Sequence, residues 1–171
     1  MRGRLLLAGP NLIDPNFFRT VVLLLEHNDE GAVGVVLNRP TELPVREALP
    51  PWAGAVSEPP VVFVGGPVAA GTALALGHNP DDDDAIIGDI AVVDLESPSS
   101  DWDQVRIFSG YSGWGAGQLE HELAQEAWLV LDAAPDDVRS TDPDDLWAAV
   151  LRRQHGPLAL LASYPDEPAF N

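Results

Sequence analysis

Residues 20–38, TVVLLLEHNDEGAVGVVLN, constrain the fold more than any other stretch of the chain. Two runs rich in Val and Leu flank Asn28–Gly31, a polar segment that ends in glycine. This pattern predicts an antiparallel β-hairpin in which residues 20–27 pair with 32–38. The run VVLLL is apolar at every position, so both faces of its strand are covered. Such a strand lies inside a sheet or between two layers. The pairing also separates two polar candidates. With a turn at 28–31, His27 faces Ala32 and Asn38 faces Val21, roughly 20 Å apart at the usual strand rise. They form no joint site, and His27 is expected to bond the backbone of its own turn.

Other segments add strands. RLLLA at 4–8 reads as one. The segment before the hairpin, GPNLIDPNFFRT, reads as a loop because Pro10 and Pro15 interrupt any ladder. VVFV before Gly65-Gly66-Pro67, TALALGH at 72–78, one or two strands in AIIGDIAVVDL, VRIFSGY at 105–111 and WLVLDAA at 128–134 complete the set. One or two helical turns fit Val45–Leu49. QLEHELAQEAW carries Leu119, Leu123 and Ala127 on one helical stripe and puts His121 on the opposite, solvent side. TDPDDLWAAVLRRQHG has a cap at Thr141 or Asp142, proline in the first turn, acids at the start and arginines at the end, and Gly156 stops it. The tail from Pro157 is apolar, then proline-rich. Most neighbouring strands are joined by short turns, which forces antiparallel pairing. The expected class is α+β: one domain over residues 1–171, with a large mixed, mostly antiparallel sheet and a few flanking helices.

Composition restricts function. The 171 residues include 27 acidic and 9 basic side chains, a net charge of −18, and the basic ones are all arginine. A surface this acidic repels phosphate backbones, so binding of DNA or RNA is disfavoured. With no cysteine, neither disulfides nor Cys-ligated metals are possible. No apolar run reaches the length of a membrane span, and the apolar patch at 5–8 is too short for a signal-peptide core, so a cytoplasmic location is expected. Asp81–Asp84 lacks the spaced pattern of a calcium loop and reads as a solvated turn. His78 and His155 stand at element ends without a paired ligand pattern, so no metal is expected. No G-x-S-x-G elbow occurs, and Ser109 has no evident partner.

Four segments in order, LLLAGPNLIDPNFFRTVVLLLEHNDEGAVGVVLNRP, VFVGGPV, IFSGYSGWGAGQLEHELAQEAWLV and DDLWAAVLRR, resemble the AlgH/YqgE family of bacterial proteins. The resemblance extends to the PDEPAFN ending. It implies a single α+β domain with a mixed sheet in the bacterial cytoplasm. It carries a label of transcriptional regulation of alginate production, against which this chain's charge argues for any direct contact with DNA. Ser112 stands where alanine is common, which alters packing beneath Tyr111. Ala116 stands where proline is common, which removes a rigid turn residue.

Candidate binding residues come from three strand ends. Residues 110–118, GYSGWGAGQ, read as a glycine-rich loop between a strand and a helix. Such a loop offers backbone N–H groups to an anion, but the chain has no lysine for a P-loop, the Rossmann spacing fails, and Glu120 and Glu122 repel phosphate. The competing reading is a structural turn in which glycines allow tight geometry while Tyr111 and Trp114 fill a pocket. Arg39, after Asn38, emerges at a strand end where a guanidinium can hold a carboxylate or phosphate. Gly65 and Gly66 end a buried strand. If these ends share one rim, Asn38, Arg39, Gly65, Gly66, Tyr111, Trp114, Gly115 and Gln118 line one cleft. The resulting expectation is a non-catalytic protein, without cofactor, that binds a small molecule or a protein partner and has a regulatory role open to it. The rival is a hydrolase-like enzyme acting on an anionic metabolite through Arg39 and the 110–118 rim. A direct DNA-binding regulator ranks last. The sequence does not set the oligomeric state.

Overall fold

The computed structural model describes residues 1–10, 12 and 14–163. Nine strands form one sheet: β1 (Arg4–Ala8), β2 (Val21–Asn28), β3 (Gly31–Val36), β4 (Pro40–Pro44), β5 (Val61–Val64), β6 (Val68–His78), β7 (Ile90–Val92), β8 (Asp103–Gly115) and β9 (Trp128–Asp132). Four short helices accompany it: α1 (Val45–Ala48), α2 (Gln118–Ala124), α3 (Pro135–Val138) and α4 (Leu146–Arg152). The main strand order is β4-β5-β8-β3-β2-β1-β9, and β6 joins β8 to β7. Only β5 and β8 pair in parallel among the named strands, so the sheet is mixed and mostly antiparallel, as an α+β class requires. No described helix is long and apolar enough to cross a membrane.

The hairpin forms as the sequence predicts, with His27 opposite Ala32. Its turn is tighter than expected: Asn28 still pairs with Gly31, so only Asp29 and Glu30 lie outside the ladder. The Asn28 side chain accepts the Glu30 N–H at 2.8 Å and closes the turn. A bulge between Leu24 and Glu26 shifts the register, so Val22 faces Val36. Asn38 therefore slips one place from its expected position opposite Val21, yet its Oδ1 still accepts the Val21 N–H at 3.0 Å.

The double apolar face of the hairpin has the predicted cause. Leu5, Leu7, Val21, Leu23 and Val35 point to one side, where Leu146, Trp147, Val150 and Leu151 of α4 cover them. Leu6, Ala8, Val22, Leu24 and Val36 point to the other, where Trp114, Leu119 and Trp128 join them. A third cluster, Val45, Trp52, Val62, Ala75, Val105 and Ile107, lies under α1. Fully burying side chains of this size stabilises by about 1.5–3 kcal/mol each.

Helix bounds are shorter than the sequence patterns suggest. The 141–155 pattern splits into a 3-10 turn at Pro143–Asp145 and α4, and Asp142 makes no side-chain cap bond. The pattern at 118–128 ends as helix at Ala124, because Glu126 takes a left-handed φ of 60° before β9. Leu119 of its stripe is buried, with Leu123 and Ala127 packed beside it, and His121 is exposed. Strand β4, bounded by Pro40 and Pro44, adds to the strands that the sequence patterns predict. The PDEPAFN ending lies outside the described residues.

Candidate functional site

The main departure concerns residues 110–118. Residues 110–115 are not a loop: they continue β8, and Ser112, Gly113, Trp114 and Gly115 pair with Gly34, Val33, Ala32 and Gly31. Only Ala116 and Gly117 turn into α2, with Gly117 at φ 75°. Strand β8 thus serves three neighbours, β5 and β6 along its first half and β3 along its second. Glycine is needed where these neighbours crowd it. Gly110 has φ 73°, and a Cβ there would lie 2.6 Å from the Gly66 oxygen and 2.9 Å from the Val68 oxygen. A Cβ on Gly66 would meet the Tyr111 carbonyl at 2.2 Å. Gly65 and Gly66 therefore let the end of β5 press against β8. Ser112 uses its departure from alanine here: its buried hydroxyl donates to the Gly65 carbonyl at 3.1 Å.

The polar rim residues are occupied by the protein's own backbone. The Arg39 guanidinium donates to the Phe18 carbonyl at 2.8 Å and the Pro15 carbonyl at 3.3 Å. Asn38 holds Arg19 O through Nδ2 at 2.9 Å. Together they strap the segment 14–19 to the sheet. Arg39 and Gly66, with Asn16, Val36, Val64 and Pro67, enclose a cavity of only about 70 Å³. Ligand pockets usually measure about 300–1,000 Å³. The 38–39 and 65–66 segments do meet, but around a space too small for a metabolite.

Trp114 and Gln118 belong to a second cluster that the sequence reading did not assemble. Trp114 is buried, stacks on Phe17 with centroids 6.3 Å apart, and meets Trp128 edge-on at 6.0 Å. Both indole N–H groups donate to one Glu122 oxygen, at 3.1 and 2.9 Å. Gln118 donates to the other Glu122 oxygen at 3.1 Å and accepts the Gly115 N–H at 2.9 Å. Glu122 was read only as a charge that repels phosphate. Its spacing from Gln118, four residues on a helix, was the available signal. Beside this cluster His27 bonds Glu120 across 2.5 Å, not its own turn backbone as expected. That bond holds the Glu120 carboxyl below its usual range. Ser109 Oγ accepts the Gly71 N–H at 3.1 Å.

A larger space lies elsewhere. A groove of about 670 Å³ opens between residues 54–58 and 136–141, over the start of β8. Arg106, 1% exposed, lies behind it and ties the two walls together: one terminal nitrogen donates to Ser140 O at 2.9 Å, the other to Glu58 O at 2.7 Å. Its guanidinium also lies 4.4 Å from the Phe63 ring centroid. Burial lowers the Arg106 pKa to about 10, so it remains charged at neutral pH. The second wall has its own anchor: buried Asp137 accepts both terminal nitrogens of Arg153, at 2.6 and 2.7 Å, and the Ala134 N–H at 2.8 Å. The lining carries the carboxylates of Glu58, Asp103 and Asp136 against one guanidinium, Arg139. Asp103 bonds His78 at 2.6 Å, and Asp136 bonds Arg139 at 2.9 Å. Nothing in the sequence points here, because the walls are distant in the chain and rich in ordinary turn residues. Among the described residues no group of three or more His, Asp or Glu side chains is arranged to hold a metal.

Comparison with known proteins agrees with this architecture. Residues 5–159 match a family model described as AlgH-like. A UPF0301 protein of Streptomyces avermitilis is 49% identical, covering 100% of this chain and 95% of the relative. One from Thermobifida fusca is 45% identical, covering 100% and 96%. Among solved structures, the crystal structure of protein DIP2367 from Corynebacterium diphtheriae superposes with a TM-score of 0.88 at 28% identity, covering 95% of this chain and 91% of the other. The solution structure of the AlgH protein from Pseudomonas aeruginosa gives 0.70 at 30% identity, covering 96% and 94%.

Proposed function

The chain belongs to the AlgH-like family, and from that premise we propose that it is a non-catalytic binding protein whose small-ligand site is the groove between residues 54–58 and 136–141. The observation that carries this reading is the pairing of size with rigidity. The groove has the volume of a ligand pocket, and Arg106 fixes one carbonyl from each wall. Walls held in place before binding lose little entropy on closing around a ligand. Glu58, Asp103 and Asp136 stand against Arg139 in the lining and Arg106 behind it, and on a molecule of net charge −18 that balance favours a neutral or cationic ligand. The hydrolase alternative, which needs an anionic metabolite, fits this electrostatics poorly. Its candidate groups are also apart: the His27–Glu120 pair sits at α2, while Ser109 bonds Gly71. A binder acts by being filled or empty, and that is the form a regulatory role takes here. A location in the bacterial cytoplasm is part of this proposal and rests on the family resemblance alone.

Gly54 supplies the test. A Cβ built there meets nothing within 4 Å, so a large side chain at this point of the lining is accommodated and narrows the groove. A thermal-shift panel of small amines, amides and polyols is run on the wild-type chain and on Gly54→Trp. A true ligand at a hundredfold excess over its Kd raises the wild-type midpoint by roughly 5–10 °C. The same compound leaves Gly54→Trp unmoved. Panel members that shift both proteins equally, or none that shifts the wild type, contradict the reading.

A further inference from the structure

The groove does not end at Asp103. Gly54, Ala55 and Asp103 also line a second basin of about 420 Å³, so the two spaces form one continuous trough. Their chemistry differs. Pro51, Trp52, Pro98 and Trp102 line the second basin, and Asp103 is the one charge in its lining. Trp52 is buried with its indole N–H on the Leu95 carbonyl at 3.1 Å, whereas Trp102 is only half-buried. In the first basin the carboxylates are not equivalent. Asp103 is bonded to His78 and Asp136 to Arg139, while the carboxylate of exposed Glu58 has no ion pair or hydrogen bond among the described residues. Beside it in the chain, the groove-lining Ser57 has its Oγ shielded from solvent and without a hydrogen-bond partner.

Taking the groove as the ligand site, a premise on which this rests, we propose that the trough binds an elongated amine, with its ammonium at Glu58 and Ser57 and its apolar body along Trp102. Glu58 is the lining carboxylate whose charge no arginine or histidine already answers, on a molecule of net charge −18. Arg106 holds the Glu58 carbonyl, not its carboxylate, and so fixes the backbone from which this side chain projects. A hydroxyl without a partner carries its desolvation cost in the empty protein. Rotation about Cα–Cβ turns Ser57 Oγ toward the groove, where an ammonium N–H satisfies it. A long apolar body then leaves water against Trp102 and the two prolines. A neutral chain of the same length fills the second basin but leaves Glu58 unanswered. A short amine does the converse.

Chemical-shift titrations of the full chain with hexylamine, ethylamine and hexan-1-ol test this. Hexylamine is expected to bind at least about tenfold more tightly than ethylamine, since each methylene taken from water contributes about fourfold. It is expected to shift residues 98–102 as well as 54–58. Glu58→Gln, at an exposed position, is expected to reduce hexylamine to the affinity of hexan-1-ol. Trp102→Leu is expected to weaken hexylamine and leave ethylamine unchanged. Equal affinity for the two amines, with both lost in Gly54→Trp, overturns the elongated amine and leaves the groove as a site. Hexylamine binding that Glu58→Gln does not weaken overturns it in the same way. No binding by any of the three compounds, nor by amides or polyols, at residues 54–58 and 136–141 overturns the ligand class and the groove reading together.

Discussion

Glycines in one strand differ sharply in what they tolerate. Gly110 combines a left-handed φ of 73° with carbonyls 2.6 and 2.9 Å from where a Cβ would sit. Gly110→Ala is expected to cost at least about 2 kcal/mol from backbone strain and overpacking combined. Gly115 has neither constraint; its nearest atom would be Gln118 Oε1 at 3.9 Å. Gly115→Ala is expected to stay within about 0.5 kcal/mol of wild type. Urea midpoints at constant m-value check both. The sequence alone treats these glycines alike, because φ is fixed by neighbours that arrive from β5 and β6. A second residue-scale expectation concerns Glu120. Its carboxyl is held low by the His27 ring, so His27→Ala should return it toward the ordinary carboxylate range in an NMR titration. The sign follows from linkage: a depressed folded pKa stabilises above the unfolded value, and the contribution is lost as pH falls through the folded one. A Glu120 titration unchanged by His27→Ala contradicts the pairing.

Elements with strong periodicity were legible, and those set by distant partners were not. The hairpin followed from Val and Leu on both sides of a polar turn, and the covered double face followed from VVLLL. The class and the mixed sheet came with them. The second half of β8 was misread as a loop, because SGWGAG carries turn residues and only its ladder with β3 makes it a strand. Strand β4 was missed because two prolines bound it, a composition allowed at a sheet edge. Arg39 reads in the sequence as a group that can hold a carboxylate or phosphate, whereas its guanidinium donates to the Phe18 and Pro15 carbonyls. It straps the segment 14–19, which carries Phe17 onto Trp114. Arg39→Ala is expected to raise hydrogen exchange across residues 14–19 while β2 and β3 stay protected. Exchange that rises uniformly across the sheet speaks against a local strap. The groove was invisible because Arg106, Glu58 and Ser140 meet only in the fold, and a lone arginine in a strand gives no hint of that.

At the scale of the molecule, charge and burial act in opposite directions. Apolar clusters on both sheet faces hold the chain together, while a net charge of −18 strains it by self-repulsion. Raising NaCl to 1 M, where the Debye length is about 3 Å, is expected to raise the unfolding midpoint by several degrees. The same charge predicts no salt-sensitive binding to duplex DNA in a mobility-shift titration at physiological salt. The direct measurement of the proposed groove site is amide chemical-shift mapping of the isotopically labelled protein against small amines and amides. The account predicts perturbed amides in residues 54–58, 103–105 and 136–141. Perturbations confined to 38–39, 65–66 and 111–118 would contradict it.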